Sequence, residues 1–97
     1  MATFVIMMKF TDQGIRNVKQ APERMAAGAK ALEAMGGKLL SLHMTMGEYD
    51  YVAIGQMPSD EVAATFCLAL ASLGNVKTTT MRAFSLDEVA GLVKPLP

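Results

Sequence analysis

Apolar side chains recur at every second position from Thr3 to Phe10: Phe4, Ile6, Met8 and Phe10 share one face, while Thr3, Val5, Met7 and Lys9 share the other. Period two is the spacing of a strand, and a strand apolar on both faces belongs in the middle of a sheet covered on both sides. Thr11 suits the cap of a short helical turn over Asp12 to Arg16, because its hydroxyl can accept from a free backbone N–H. Gln20-Ala21-Pro22 interrupts that turn. Pro22 then fits the first position of the main helix, and Glu23 fits the positive end of its dipole. Met25, Ala29, Leu32 and Met35 follow at helical spacing and face the sheet until Gly36-Gly37 ends the helix.

A second strand runs from Lys38 to Met46, with Leu40, Leu42, Met44 and Met46 on one face and Leu39, Ser41, His43 and Thr45 on the other. Gly47-Glu48 makes the turn into a third strand, Tyr49 to Met57, closed by Pro58. If the turn is a two-residue loop, Met46 pairs with Tyr49, and Asp50 shares a face with His43 and Thr45; a three-residue loop reverses that assignment. This hairpin is the most apolar non-helical part of the chain, which predicts a place near the middle of the domain. Ser59-Asp60-Glu61 opens a second helix with the buried stripe Val62, Phe66, Leu70 and Leu73, ended by Gly74-Asn75. The fourth strand is Val76 to Phe84, with Val76, Thr78, Thr80, Arg82 and Phe84 on one face and Lys77, Thr79, Met81 and Ala83 on the other. Ser85 caps a last helix that closes before Pro95.

Strand, helix, strand, strand, helix, strand, with a C-terminal helix added, is the split βαβ string of α+β, ferredoxin-like domains. Both main helices there cover one face of a four-stranded antiparallel sheet. Residues 1–97 read as a single domain. The other face stays open, and four strands at about 4.8 Å spacing and roughly 20 Å length give it about 400 Å² in projection. Val5, Met7, Leu39 and part of the third strand contribute to it. A second copy packed sheet against sheet around a two-fold axis would cover it, which predicts a homodimer or a larger even-numbered oligomer.

Composition agrees with buried contacts between copies: hydrophobic residues make up 52% of the chain and charged residues 19%, more apolar and less charged than an average domain. Nine basic and nine acidic residues cancel and are spread thinly. No Lys/Arg cluster offers a stripe for phosphates, which argues against nucleic acid. The longest apolar runs fall well short of the roughly 20 residues of a membrane-spanning helix, so no membrane partner is expected. No basic segment precedes the first apolar run, which reads as a strand and not as a signal peptide. The single cysteine excludes an internal disulfide and points to the cytoplasm.

Lys9-Phe10-Thr11-Asp12-Gln13-Gly14-Ile15-Arg16-Asn17-Val18-Lys19, Gly36-Gly37-Lys38, Gly47-Glu48-Tyr49-Asp50, Leu73-Gly74-Asn75-Val76 and Arg82-Ala83-Phe84 together resemble the GYD-domain family, small proteins grouped with the dimeric α/β barrels. The resemblance runs from Phe4 to Phe84. It implies a ferredoxin-like protomer that dimerises into a barrel, and it brings no reaction. Related barrels include cofactor-independent monooxygenases, isomerases, haem proteins and effector-binding domains, and a shared fold does not choose among them.

His43 is the only histidine, and imidazole is the side-chain type that titrates near neutral pH in water. Beside Asp50 it could serve as a general base; the competing reading is a strand histidine at a dimer interface. Asp50 itself either acts on a ligand or organises the turn, pairing with Arg82, Lys9 or backbone N–H groups. Tyr49 and Tyr51 either bind a ligand through their phenols or pack at an interface. Arg82, and more weakly Lys9, could hold a carboxylate, or form an ion pair between subunits. Cys67, beside the apolar stripe of the second helix, reads as a buried, inert thiol. Ligand spacing for zinc or non-haem iron is absent, as is any phosphate-cradling glycine loop, so no cofactor is expected.

Three functions fit these residues. The first is a homo-oligomeric ligand-binding or accessory protein whose barrel holds a small apolar or carboxylate-bearing molecule. The second is a cofactor-independent oxygenase or isomerase using His43, Asp50 and Arg82. The third is an interaction module whose barrel is filled by side chains.

Overall fold

A computed structural model describes residues 1–97. Strand β1 (Ala2–Phe10) leads through helix α1 (Asp12–Arg16) and one 3-10 turn (Val18–Gln20) into α2 (Ala21–Ala34). Strands β2 (Lys38–Met44) and β3 (Tyr51–Met57), helix α3 (Asp60–Ser72), strand β4 (Val76–Ala83) and helix α4 (Leu86–Val93) follow. The strands form one antiparallel sheet in the order β2-β3-β1-β4. This is the ferredoxin-like α+β fold expected from the string of elements.

The hairpin of β2 and β3 is not the middle of the sheet. β1 and β3 are the inner strands, and β2 and β4 are the edges. β1 pairs along one edge with β3 and along the other with β4, while α2 and α3 cover only its Phe4, Ile6 and Met8 face. β2 carries its apolar residues less regularly. Leu39 pairs with Gly55 and Ser41 with Ile54, so Leu40 is the extra residue of a bulge. An inserted residue reverses the alternation of the strand beyond it. Leu39 and Leu42 therefore both pack toward the helices, and the expectation that Leu39 belongs to the open face is corrected.

The hairpin strands also stop earlier than their apolar runs, at Met44 and Tyr51 in place of Met46 and Tyr49. The pairing phase is nonetheless that of the two-residue reading. Met44 lies opposite Tyr51, and the Thr45 N–H donates to the Asp50 carbonyl at 2.8 Å. Beyond that bond Gly47 takes φ 114° and the chain leaves the ladder, a conformation that costs glycine little.

Both main helices lie on one face. The core joins Phe4, Ile6 and Met8 of β1 to Tyr51, Ala53 and Met57 of β3, and to Val76, Leu32, Ala63 and Phe66. Along α3, Phe66 is buried with Val62 and Leu70 packed beside it, but Leu73 is 66% exposed. Leu73 caps the C-terminus of α3, and Gly74 at φ +83° turns the chain away before that side chain can reach the sheet. Ala63 takes the burial instead.

The caps form where hydroxyls were expected. Thr11 Oγ1 accepts from the Gly14 N–H at 3.1 Å, and Ser59 Oγ accepts from the Val62 N–H at 3.2 Å. Ser85 and Glu88 cap each other reciprocally at the start of α4. α4 stands apart from the rest: none of its residues is buried, and Leu86 is 89% exposed. The molecule is correspondingly long, 52 × 30 × 19 Å along its principal axes.

Candidate functional site

The sheet face away from α2 and α3 is open. Strand pairing arranges its side chains in rows: Ser41, Ile54, Val5 and Met81 lie across one, and His43, Val52, Met7 and Thr79 across the next. Val5, Met7 and Val52 are half-buried by their neighbours in the sheet, while Ile54 and Met81 remain exposed. Lys9 and Lys77 sit directly opposite each other at one end of the same face. Like charges so placed repel, and the Lys9 ammonium leans to the Glu48 carboxylate at 4.0 Å and to the Tyr49 ring at 5.2 Å. An apolar centre rimmed by charge is the composition of a contact surface.

His43 lies exposed on this face at the β2 edge, opposite Val52. Asp50 is close in sequence but committed elsewhere: its Oδ2 accepts from the Phe10 N–H at 2.7 Å, and its own N–H donates to the Met8 carbonyl at 2.9 Å. The carboxylate thus continues the β1–β3 ladder by one residue where the hairpin leaves it. Thr45 Oγ1 closes the loop from inside by donating to the Tyr49 carbonyl at 2.6 Å. The Tyr49 ring is half-buried beneath Lys9.

Tyr51 faces the helices and is part of the core, its ring edge-on to Phe10 at 5.4 Å between centroids. Burial pushes its phenol above the ordinary value of 10.0; Arg24 lowers it and Asp50 raises it further. Arg82 also lies on the helix side, in the row of Phe4. Its guanidinium stacks over Phe84 at 4.5 Å and Phe4 at 5.7 Å, donates to the Thr3 carbonyl at 3.1 Å and to the Ala83 carbonyl, and reaches Glu88 at 3.6 Å. Of the six residues singled out, the fold brings His43 and Lys9 to the open face and Tyr49 and Asp50 to the hairpin beside it. Tyr51 and Arg82 lie on the opposite face. Cys67 is half-buried, not fully buried, with Sγ 3.0 Å from Thr80 Oγ1.

The second conspicuous polar cluster was missed in the sequence because its parts lie some sixty residues apart. Thr11 Oγ1 donates to the Gly74 carbonyl at 2.5 Å, and the Thr11 N–H donates to the Asn75 carbonyl at 3.0 Å. Gln13 Nε2 donates to the Leu73 carbonyl at 3.1 Å and to Asn75 Oδ1 at 3.0 Å. Gly14 is buried so tightly there that an added Cβ would overlap the Asn75 carbonyl. The start of α1 is thereby bolted to the α3–β4 turn. The available signal was that Thr11 to Gly14 and Leu73-Gly74-Asn75 both belong to the motifs that carry the family resemblance.

Between the helices and the sheet lies an apolar gap of about 40 Å³, lined among others by Met25, Leu32, Leu42 and Phe66, room for no more than a water-sized group. No three His, Cys, Asp or Glu side chains converge as metal ligands would. No helix is long and apolar enough to cross a membrane.

Two comparisons bear on this arrangement. The family model for the GYD domain matches residues 4–93. A protein of Thermus thermophilus, named glutamine synthetase and cystathionine beta-lyase binding protein, is 30% identical over 95 residues, covering 97% of this chain and 100% of that protein. No solved structure gives a significant match.

Proposed function

This chain belongs to the GYD-domain family, and from that premise we propose that it is a homo-oligomeric accessory protein that acts by binding an enzyme. The observation that carries the reading is the open sheet face, where Val5, Met7, Val52, Ile54 and Met81 stand together without cover from their own chain. Two copies packed through that face bury it and form a barrel. The outer surfaces then remain for a partner. The Thermus relative is named for binding two enzymes, glutamine synthetase and cystathionine β-lyase, and a relative matched over nearly its whole length is a reason to look for the same class of partner here. The cytoplasm, where such enzymes work, is the proposed setting.

The competing enzyme reading needs His43, Asp50 and Arg82 around one ligand atom. Asp50 is spent on the Phe10 N–H, and Arg82 lies across the sheet from His43. Binding is therefore the better supported function. The test mixes the purified chain with purified glutamine synthetase and with cystathionine β-lyase of its own organism and reads heat of binding and co-elution. A saturable complex with either enzyme is the expected result. No heat and no co-elution with either would overturn the assignment.

A further inference from the structure

We propose that the outer edge of β4 takes an extended, acid-bearing segment of the partner enzyme as a fifth strand, deepening the enzyme-binding role proposed above, on which this inference rests. The sheet has two outer edges, and they are not alike. Along β2 the Leu40 bulge breaks the register, and a bulge is one of the devices that keep an edge from accepting another strand. β4 pairs with β1 over all eight residues of Val76–Ala83 without a break and contains no proline. Its far side has no strand beside it.

One bond fixes which main-chain groups face outward. The Thr11 N–H donates to the Asn75 carbonyl at 3.0 Å, and residues 11 and 75 continue the β1–β4 register by one step. In an antiparallel ladder, pairs that exchange hydrogen bonds alternate with pairs that do not. Lys77, Thr79 and Met81 therefore spend their N–H and C=O groups on β1, while those of Thr78 and Thr80 point away from it, to the uncovered side. An extended backbone is the complement of such a row. The side chains of Thr78 and Thr80 also line an open groove of about 310 Å³, together with Phe4, Ala63, Ala64 and Cys67. The small groups of α3 leave room there for the alternate side chains of an added strand. Because Phe4 belongs to the core under the helices, this groove lies on the helix side, outside a dimer built through the open face.

Charge decides the occupant. Lys9 and Lys77 lie directly opposite each other; Lys9 has Glu48 at 4.0 Å, and Lys77 has no carboxylate within that distance. A carboxylate on an added strand, opposite or diagonal to Lys77, supplies the missing charge. A second copy of this chain does not bring one. Neither Val76–Ala83 nor Lys38–Met44, the outer strands that a copy would offer, contains an acid. The occupant is therefore a segment of another protein, about five residues in extended conformation. It places an acid beside Lys77 and aliphatic side chains at the intervening positions, which enter the groove.

The experiment uses the full chain and the two purified enzymes of the binding test above. Amide exchange is read residue by residue in the free chain and in the complex, alongside the affinities of Thr80→Pro and Lys77→Glu. Proline at position 80 removes an outward N–H and leaves the bonds to β1 in place, a substitution that an edge strand accommodates. The Thr78 and Thr80 amides should exchange fast in the free chain and about tenfold slower in the complex. Thr80→Pro should weaken the complex about tenfold and Lys77→Glu about threefold, with circular dichroism and self-association unchanged. Thr78 and Thr80 amides that exchange in the complex as they do in the free chain would overturn the edge and leave enzyme binding standing; should Thr80→Pro fail to fold, that comparison decides alone. A Thr80→Pro chain that binds as tightly as the wild type, or that loses self-association in place of enzyme binding, would also overturn it. A wild-type chain that binds neither enzyme overturns the accessory reading and this inference together.

Discussion

Strand β1 has two faces of nearly equal apolarity and opposite fates. Phe4, Ile6 and Met8 are buried at 5%, 2% and 4% exposure under α2 and α3, while Val5 and Met7, one residue along, have no cover beyond the sheet itself. The alternation is the same on both sides, so hydrophobicity alone does not decide which face is a core. The decision comes from the connections: both crossover helices, α2 and α3, fall on one side, and α4, none of whose residues is buried, does not cover the other. The contact between copies proposed above rests on this face, apolar and uncovered within its own chain.

The largest effect that would separate the two faces is on the covered one. Leu32→Ala removes a side chain 1% exposed that lies beside Gly55 and lines the same apolar gap as Leu39 and Leu42; it should cost about 3 kcal/mol of stability by urea unfolding. A loss within a few tenths of a kcal/mol would mean that this face is not a rigid core. Gly14→Ala ranks next. The new methyl must displace the Asn75 carbonyl, which should cost about 2 kcal/mol as overpacking and loosen the α3–β4 turn, visible as faster amide exchange of Thr11. Asp50→Ala removes the charge-assisted bond to the Phe10 N–H. With the site half-exposed the expected cost is about 1 kcal/mol, accompanied by fraying of the Met8–Tyr51 end of the β1–β3 ladder in exchange measurements.

The smallest effect is local to α4. Bonds from the Ser85 backbone N–H, then the Ser85 hydroxyl and the Arg82 charge, hold the Glu88 carboxyl below its ordinary 4.5. A depressed acid stabilises the fold above its unfolded value and loses that contribution as pH falls through the folded one. The first turn of α4 should therefore fray below pH 4.5 and not between neutrality and that point, as read from the Val89 amide shift. Fraying that begins near neutral pH would point to a group other than Glu88.

Most of the fold was legible because its signals are local. Period two in Thr3 to Phe10, the caps at Thr11, Ser59 and Ser85, and the paired glycines Gly36-Gly37 each act within a few residues. What sequence reading misplaced depends on distant neighbours. The Leu40 bulge is a matter of how β2 meets Gly55 and Ile54, and nothing in Lys38 to Met46 announces it. Leu73 fits the helical stripe by spacing and fails because Gly74 redirects the chain. Among the candidate residues, alternation along β4 grouped Arg82 with Val76, but that this face lies across the sheet from His43 required the strand pairing. Asp50 was weighed as a ligand group or a turn organiser; its partner, the Phe10 N–H forty residues earlier, was beyond reach of any local rule.

The most direct test of the open face is sedimentation velocity on the wild-type chain and on Ile54→Glu, which puts a carboxylate in the centre of that face without touching the core. The wild type should sediment as a dimer or larger even-numbered assembly, and the variant as a monomer with an unchanged circular dichroism spectrum. A wild-type monomer, or a variant that assembles as well as the wild type, would contradict the account.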